Sequence, residues 1–268
     1  MGLPDVYERI KPAVVAIALV EERGTKTNFR IFGSGFCVDS SGIIVTARHV
    51  VTRYYEDILK APLPRSHREA RVPIQKPGFQ VVFFRKESDR YGSIFASPMN
   101  YILPLEGDAP EDDVAALRMP SCPDIWGTGY PYLELGDLSR VREGDEIATS
   151  GYPLRWDLSG SRLPDLSKGI ISRVDEKLGS EKKWEITKLV LDIRINPGNS
   201  GGPVFETQSG SVLGLISQER VRDPAMMPNR LKGLFKIPAG IAYCIPSGII
   251  SKAISVLEYA ERSSGNTP

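Results

Sequence analysis

Short runs rich in Val, Ile and Phe, each bounded by turn residues, recur along most of this chain and set the strongest limit on its fold. The clearest are Val14–Val20, Phe29–Val38, Ile43–Thr46, Gln80–Phe84, Val114–Met119, Ile147–Gly151, Gly169–Val174, Leu189–Ile195 and Val212–Ser217. β-branched and aromatic residues in runs of this length, closed by Gly, Pro, Asp or Ser, read as strands of a sandwich or barrel. Helical spacing is scarce. Asp5–Ile10 reads as one helical turn stopped by Pro12, and only Ser247–Glu261 carries an apolar face, with Ile250, Ala253, Ile254 and Leu257, and Ser247 as N-cap. Alternating α/β architectures are therefore excluded. Two segments break the strand rhythm, Tyr54–Lys76 and Leu154–Ser167, and loops of this length in a β domain usually face substrate or regulate.

Composition closes off several function classes. A net charge of +1 gives no electrostatic reason to bind nucleic acid or an anionic membrane, and apolar runs such as Ala13–Val20 are too short to span a bilayer. With two histidines, and three cysteines that lack C-x-x-C spacing, neither a histidine-rich nor a structural zinc site is expected. No phosphate loop or dinucleotide fingerprint occurs, so no metal or organic cofactor is expected. Cys37, Cys122 and Cys244 are odd in number and scattered, which suggests free thiols in a reducing compartment. The first residues place Asp5 and Glu8 where a secretory signal has basic residues, and the expected location is cytoplasmic.

Three strings carry chemistry. Asn196-Pro197-Gly198-Asn199-Ser200-Gly201-Gly202-Pro203 surrounds one serine with residues that permit unusual backbone conformations and close approach. Such a turn can aim successive amides at an oxyanion, although the same composition also suits a hairpin that merely carries a serine. Gly42–Val51 ends a β-rich run on His49, either a base or a packed core histidine; His67 lies among Arg65, Arg68 and Arg71, where positive charge disfavours imidazolium. Glu111-Asp112-Asp113 runs into the apolar Val114–Leu117, which would carry Asp113 inward and leave Glu111 and Asp112 solvated. Chain order then discriminates among serine hydrolases. No histidine follows Ser200, which excludes the α/β-hydrolase order; the subtilisin order Asp, His, Ser could use Asp39 but its alternating helices are missing, and the order His, Asp, Ser remains.

With these strings in place, the chain resembles the trypsin-like peptidases, and among them the HtrA/Deg-type protease domain. The resemblance rests on GSGFCVDSSGIIVTARHVV, DDVAALRM, LELGDLSRVREGDEIATSGYP, KGIISRV, INPGNSGGPVF and GIAYCIPSGII, in family order. It implies an all-β fold of two six-stranded antiparallel β-barrels with a C-terminal helix. The first barrel would take about residues 1–122, the second about 123–246 and the closing helix 247–262, as one peptidase domain. It places the nucleophile on Ser200, the general base on His49, the orienting carboxylate on Asp113 and the oxyanion hole on the Gly198-Asn199-Ser200 backbone. It implies a serine endopeptidase acting on an extended protein or peptide substrate through an acyl-enzyme. The specificity pocket would draw on Arg194, Gly214, Ile216, Ser217 and Tyr243; an inward-facing Arg194 would favour acidic side chains, an outward-facing one a surface ion pair. The chain ends soon after the closing helix, so no PDZ domain is expected, and no trypsin-like activation N-terminus is present. A protease-shaped scaffold, or a peptidase gated by a regulatory partner, is the alternative.

Overall fold

The structure, a computed structural model, describes residues 2–23, 26–54, 56, 79–87, 90–96, 100–102, 113–121, 127, 129–153, 163–179, 182–222 and 237–263. Most of Tyr54–Lys76, most of Leu154–Ser167, and both His67 and Cys122 lie outside those residues. Thirteen strands and three α-helices are described. In chain order these are α1 (Leu3–Ile10), β1 (Val14–Arg23), β2 (Lys26–Cys37), β3 (Ile43–Thr46), α2 (Arg48–Tyr54), β4 (Phe79–Glu87), β5 (Arg90–Ala96), β6 (Asn100–Ile102) and β7 (Ala115–Arg118). They continue with β8 (Glu146–Gly151), β9 (Asp165–Leu178), β10 (Trp184–Asp192), β11 (Pro203–Glu206), β12 (Val212–Arg222), β13 (Ile237–Pro246) and α3 (Ser247–Ser263).

The first seven strands form one antiparallel sheet in the order β5-β4-β1-β2-β3-β7-β6. The last six close into an antiparallel barrel, β10-β13-β12-β11-β8-β9, sealed by the β9–β10 pair. The second half is thus the six-stranded barrel the sequence implied, and the first half is a sheet of seven strands. Strands β3 and β7 are buried along their whole length. That is why IIV and AAL read as apolar runs without alternation, each strand ending on a buried polar residue, Thr46 or Arg118.

Two large apolar clusters follow from this layout. One, centred on Ile17, Phe36, Ile44, Val50 and Leu117, extends across to Phe205 and Leu215 of the barrel; the other, with Ile147, Ile171, Leu191 and Ile216, fills the barrel itself. The shared cluster ties the two halves by burial.

The C-terminal helix returns to the first sheet. Leu257 packs with Ile43 and Ala116, while Glu261 takes charge-assisted hydrogen bonds from Arg118 at 2.8 Å (Nη2) and 3.0 Å (Nε). Arg118 is 8% exposed, as is Glu261. Ser247 does not cap the helix; its hydroxyl donates to the Gly136 carbonyl at 2.9 Å, which pins the helix start to the barrel. Glu261→Ala leaves the Arg118 charge with the Ser41 hydroxyl as its remaining side-chain hydrogen-bond partner among the described residues. Because an orphaned buried charge is costly, this variant is expected to lose roughly 3 kcal/mol of unfolding free energy in a urea titration. A loss below about 1 kcal/mol, the range of exposed pairs, would show that apolar contacts alone hold the helix.

Candidate active site

His49 enters the site from a helix the strand pattern did not announce. Strand β3 ends at Thr46, and His49 is the second residue of the seven-residue α2. At a helix start the backbone amides lack intrahelical acceptors, and the His49 amide donates to Asp113 Oδ1 at 2.9 Å. The same carboxylate meets His49 Nδ1 at 2.7 Å through Oδ2. A carboxylate only accepts, so Nδ1 carries the proton and Nε2 is left as the basic nitrogen. Asp113 sits just before β7, whose apolar residues draw the segment inward as the sequence suggested. The two side chains are 26% and 16% exposed, so the pair is sheltered while the imidazole still reaches solvent.

Ser217 completes the arrangement from the barrel. Its hydroxyl donates to Asp113 Oδ2 at 2.6 Å and is buried. Asp113 therefore accepts three hydrogen bonds, two from α2 and one from β12. The expectation that Ser217 lines a specificity pocket assigns its hydroxyl a different task from the one it has here.

Ser200 lies in a pair of consecutive turns between β10 and β11. The Asn199 amide donates to the Asn196 carbonyl at 3.0 Å, across Pro197 and Gly198. Proline followed by a residue of positive φ defines a type II turn, and Gly198 has φ +102°. Next, the Gly202 amide donates to the Asn199 carbonyl at 2.9 Å, with Gly201 at φ +85°. A Cβ on Gly201 would run into the Ser34 carbonyl and Thr46 Oγ1, so glycine is required there twice over. The Gly201 amide donates to the Ile216 carbonyl at 2.6 Å, which places Ser200 beside the strand that holds Asp113.

These bonds sort the expected oxyanion turn. The amides of Asn199, Gly201 and Gly202 are all engaged within the fold, whereas those of Gly198 and Ser200 donate to no group among the described residues. Asn199 is thus removed from the expected donor set, since its amide closes the type II turn and its side chain is 2% exposed. Gly198 and Ser200 are left with N–H groups that have no acceptor among the described residues.

The remaining pocket residues are placed by the alternation of buried and exposed positions on β13 and just past β10. Ile193 and Ile195 face the barrel core, which turns Arg194 between them out to solvent. No ion pair holds its guanidinium among the described residues. Ala242 and Cys244 face the same core, and Tyr243 lies on the opposite side with Lys188 Nζ 5.3 Å from its ring centroid. Ile216 is fully buried in that core, and Gly214 packs against Cys244. An acidic-substrate pocket built on Arg194, with Tyr243 as wall, is therefore not what the fold places there.

An antiparallel barrel that brings a serine turn up to a histidine–aspartate pair carried by a second sheet is the arrangement of the chymotrypsin-like serine peptidases. The model of the trypsin-like peptidase domain matches residues 33–215, and the chain belongs to that family. Among relatives, a probable periplasmic DegP-like serine endoprotease of Pseudomonas putida (strain GB-1) is 29% identical over 211 residues, covering 78% of this chain and 33% of the relative. The protein of the same name from Ectopseudomonas mendocina (strain ymp) is 27% identical over 242 residues, covering 90% of this chain and 40% of the relative. The chain thus spans a third to two-fifths of the length of these relatives. In fold it is similar to the HtrA-type protease AlgW, solved with a decapeptide, at a TM-score of 0.58 and 18% identity, covering 97% of this chain and 69% of AlgW. Deg5 matches at a TM-score of 0.54 and 19% identity, covering 93% and 90%.

One expectation is overturned. The DegP-like relatives are named as periplasmic proteins, which points to the periplasm rather than the cytoplasm. Unpaired cysteines had argued for a reducing compartment, but Cys37 and Cys244 are both buried, and burial pushes the Cys37 thiol up to about 12. A thiol buried in this way, with no cysteine partner among the described residues, stays reduced in either compartment.

Proposed function

We propose that this domain hydrolyses peptide bonds with Ser200 as nucleophile, His49 as general base and general acid, and Asp113 as the group that fixes the imidazole. The observation that carries the reading is the three-way clamp on Asp113, set beside a serine turn with two amides unengaged among the described residues. His49 Nε2, the unprotonated nitrogen, removes the Ser200 proton as Oγ attacks the scissile carbonyl. The Gly198 and Ser200 amides then stabilise the oxyanion that develops on the carbonyl oxygen. Collapse of the tetrahedral species returns the proton from His49 to the leaving amine and leaves an acyl-Ser200, which water activated by the same histidine hydrolyses. An extended peptide is the substrate this chemistry suits, and the decapeptide in the fold-related AlgW supports that choice.

The test is covalent labelling of the whole chain with a fluorophosphonate. One equivalent is expected to attach, mapped by peptide mass spectrometry to the tryptic fragment carrying Ser200, with protection by a cleavable peptide. A folded protein that takes up no label, or takes it elsewhere than Ser200, would sink the assignment.

A further inference from the structure

Ser34 lies on β2 of the first sheet and is fully buried, yet it makes three hydrogen bonds to the barrel half, two of them to the serine turn. Its amide donates to the Ser200 carbonyl at 2.8 Å. Its hydroxyl donates to the Gly198 carbonyl at 2.7 Å and accepts the Tyr152 amide at 2.7 Å. Its own carbonyl accepts the Thr46 hydroxyl at 2.6 Å, three residues before His49.

A hydroxyl has one proton, so donating it to Gly198 leaves the lone pairs for Tyr152, and the direction of both bonds is fixed. The consequence falls on the oxyanion donors. Holding the Gly198 carbonyl fixes the plane of the peptide between Gly198 and Asn199. Holding the Ser200 carbonyl fixes the peptide that follows the nucleophile. Between them these two anchors set the backbone that carries the Gly198 and Ser200 N–H groups. Gly198 has φ +102°, a region glycine leaves readily for others, so the turn residues alone do not keep this conformation.

We propose that Ser34 is a positioning residue for the oxyanion hole: it locks the serine turn of the barrel onto the strand that leads, through Thr46, to His49. The inference rests on the proposed peptidase chemistry. Its role lies in the transition state, because a ground-state carbonyl makes little demand on donor placement while a developing oxyanion makes a strict one.

The experiment compares wild type, Ser34→Ala and Ser34→Cys in the full chain, with a peptide substrate and a peptide boronic acid that forms a tetrahedral anion on the nucleophile. Removing an oxyanion donor outright costs about 10²–10³ in kcat, and loosening two of them through Ser34→Ala is expected to cost roughly 10- to 100-fold with KM within about twofold. The boronate inhibition constant should rise in proportion to the fall in kcat, while binding of the product peptide stays unchanged. Ser34→Cys, which keeps a weak donor and acceptor, should fall between the two, and it carries the comparison should the alanine variant fail to fold. Wild-type kcat and boronate affinity in a folded variant would overturn the role of Ser34 alone. Equal weakening of boronate and product peptide would overturn it too, since that is the signature of a merely structural residue. A wild type that neither cleaves peptide nor takes up fluorophosphonate overturns the peptidase reading itself, and the inference with it.

Discussion

Ser200→Ala is expected to lower turnover of a cleavable peptide by about a million-fold, the scale seen when the nucleophile of a Ser-His-Asp enzyme is removed. The loss should fall on kcat, with KM little altered, because the hydroxyl reacts without helping to bind the ground state. The fold should survive. Every bond that shapes the turn at this position is made by backbone: the Ser200 carbonyl accepts from Ser34, and the neighbouring Gly201 amide donates to Ile216. The hydroxyl has no hydrogen-bond partner among the described residues and the residue is only half-buried, so alanine is expected to change stability by no more than about 0.5 kcal/mol. Steady-state kinetics beside a urea titration separates the two effects. Retention of even one hundredth of wild-type turnover by a folded variant would remove Ser200 from the mechanism.

How much of this was legible beforehand depends on what each residue needs. The strands carried by apolar runs were readable, because burial on both faces leaves a mark in composition: IIV and AAL are such cases. β6, three residues long, carries too few positions for a pattern, and β11 opens on Pro203 and directly follows the glycines of the serine turn. β13 contains two prolines and Gly240, which weaken any strand reading from pattern; only the resemblance of GIAYCIPSGII marked it. The short helix α2 was hidden for the opposite reason, since Val50, Val51 and Thr52 are β-branched and continue the look of β3.

The candidate site divides in the same way. His49, Asp113 and Ser200 stood out because their chemistry needs those residue types in that chain order. The pocket residues did not, because a pocket wall is defined by which way a side chain turns. Alternation about Ile193, Ile195, Ala242 and Cys244 turned Arg194 and Tyr243 outward. Ser34, and the bond of Ser217 to Asp113 in place of the pocket role expected of it, are the plainest gap. Each residue is one serine among many in the sequence, and only the meeting of sheet and barrel makes one a partner of Gly198 and the other a partner of Asp113.

Asp113→Asn offers the second large effect, and the geometry decides its sign. The native carboxylate accepts from the His49 amide through Oδ1 and from both His49 Nδ1 and the Ser217 hydroxyl through Oδ2. Asparagine has one oxygen and one NH2 group to fill those two places. The His49 backbone amide can only donate, so the amide oxygen must take the Oδ1 place, because an NH2 there would set two donors against each other. The NH2 group then occupies the Oδ2 place. Ser217 can rotate to accept from it, and His49 Nδ1 must do the same. That forces the ring proton onto Nε2, the nitrogen needed to receive the Ser200 proton. The variant therefore keeps the fold, the contacts and the turn while presenting the wrong tautomer, and its kcat is expected to fall by roughly 10⁴-fold. Fluorophosphonate labelling should slow with it, whereas binding of a product peptide and the urea midpoint should hardly move. A loss under about tenfold would show that His49 takes its tautomer from some other group, and the role of Asp113 would then be confined to holding α2 against β7.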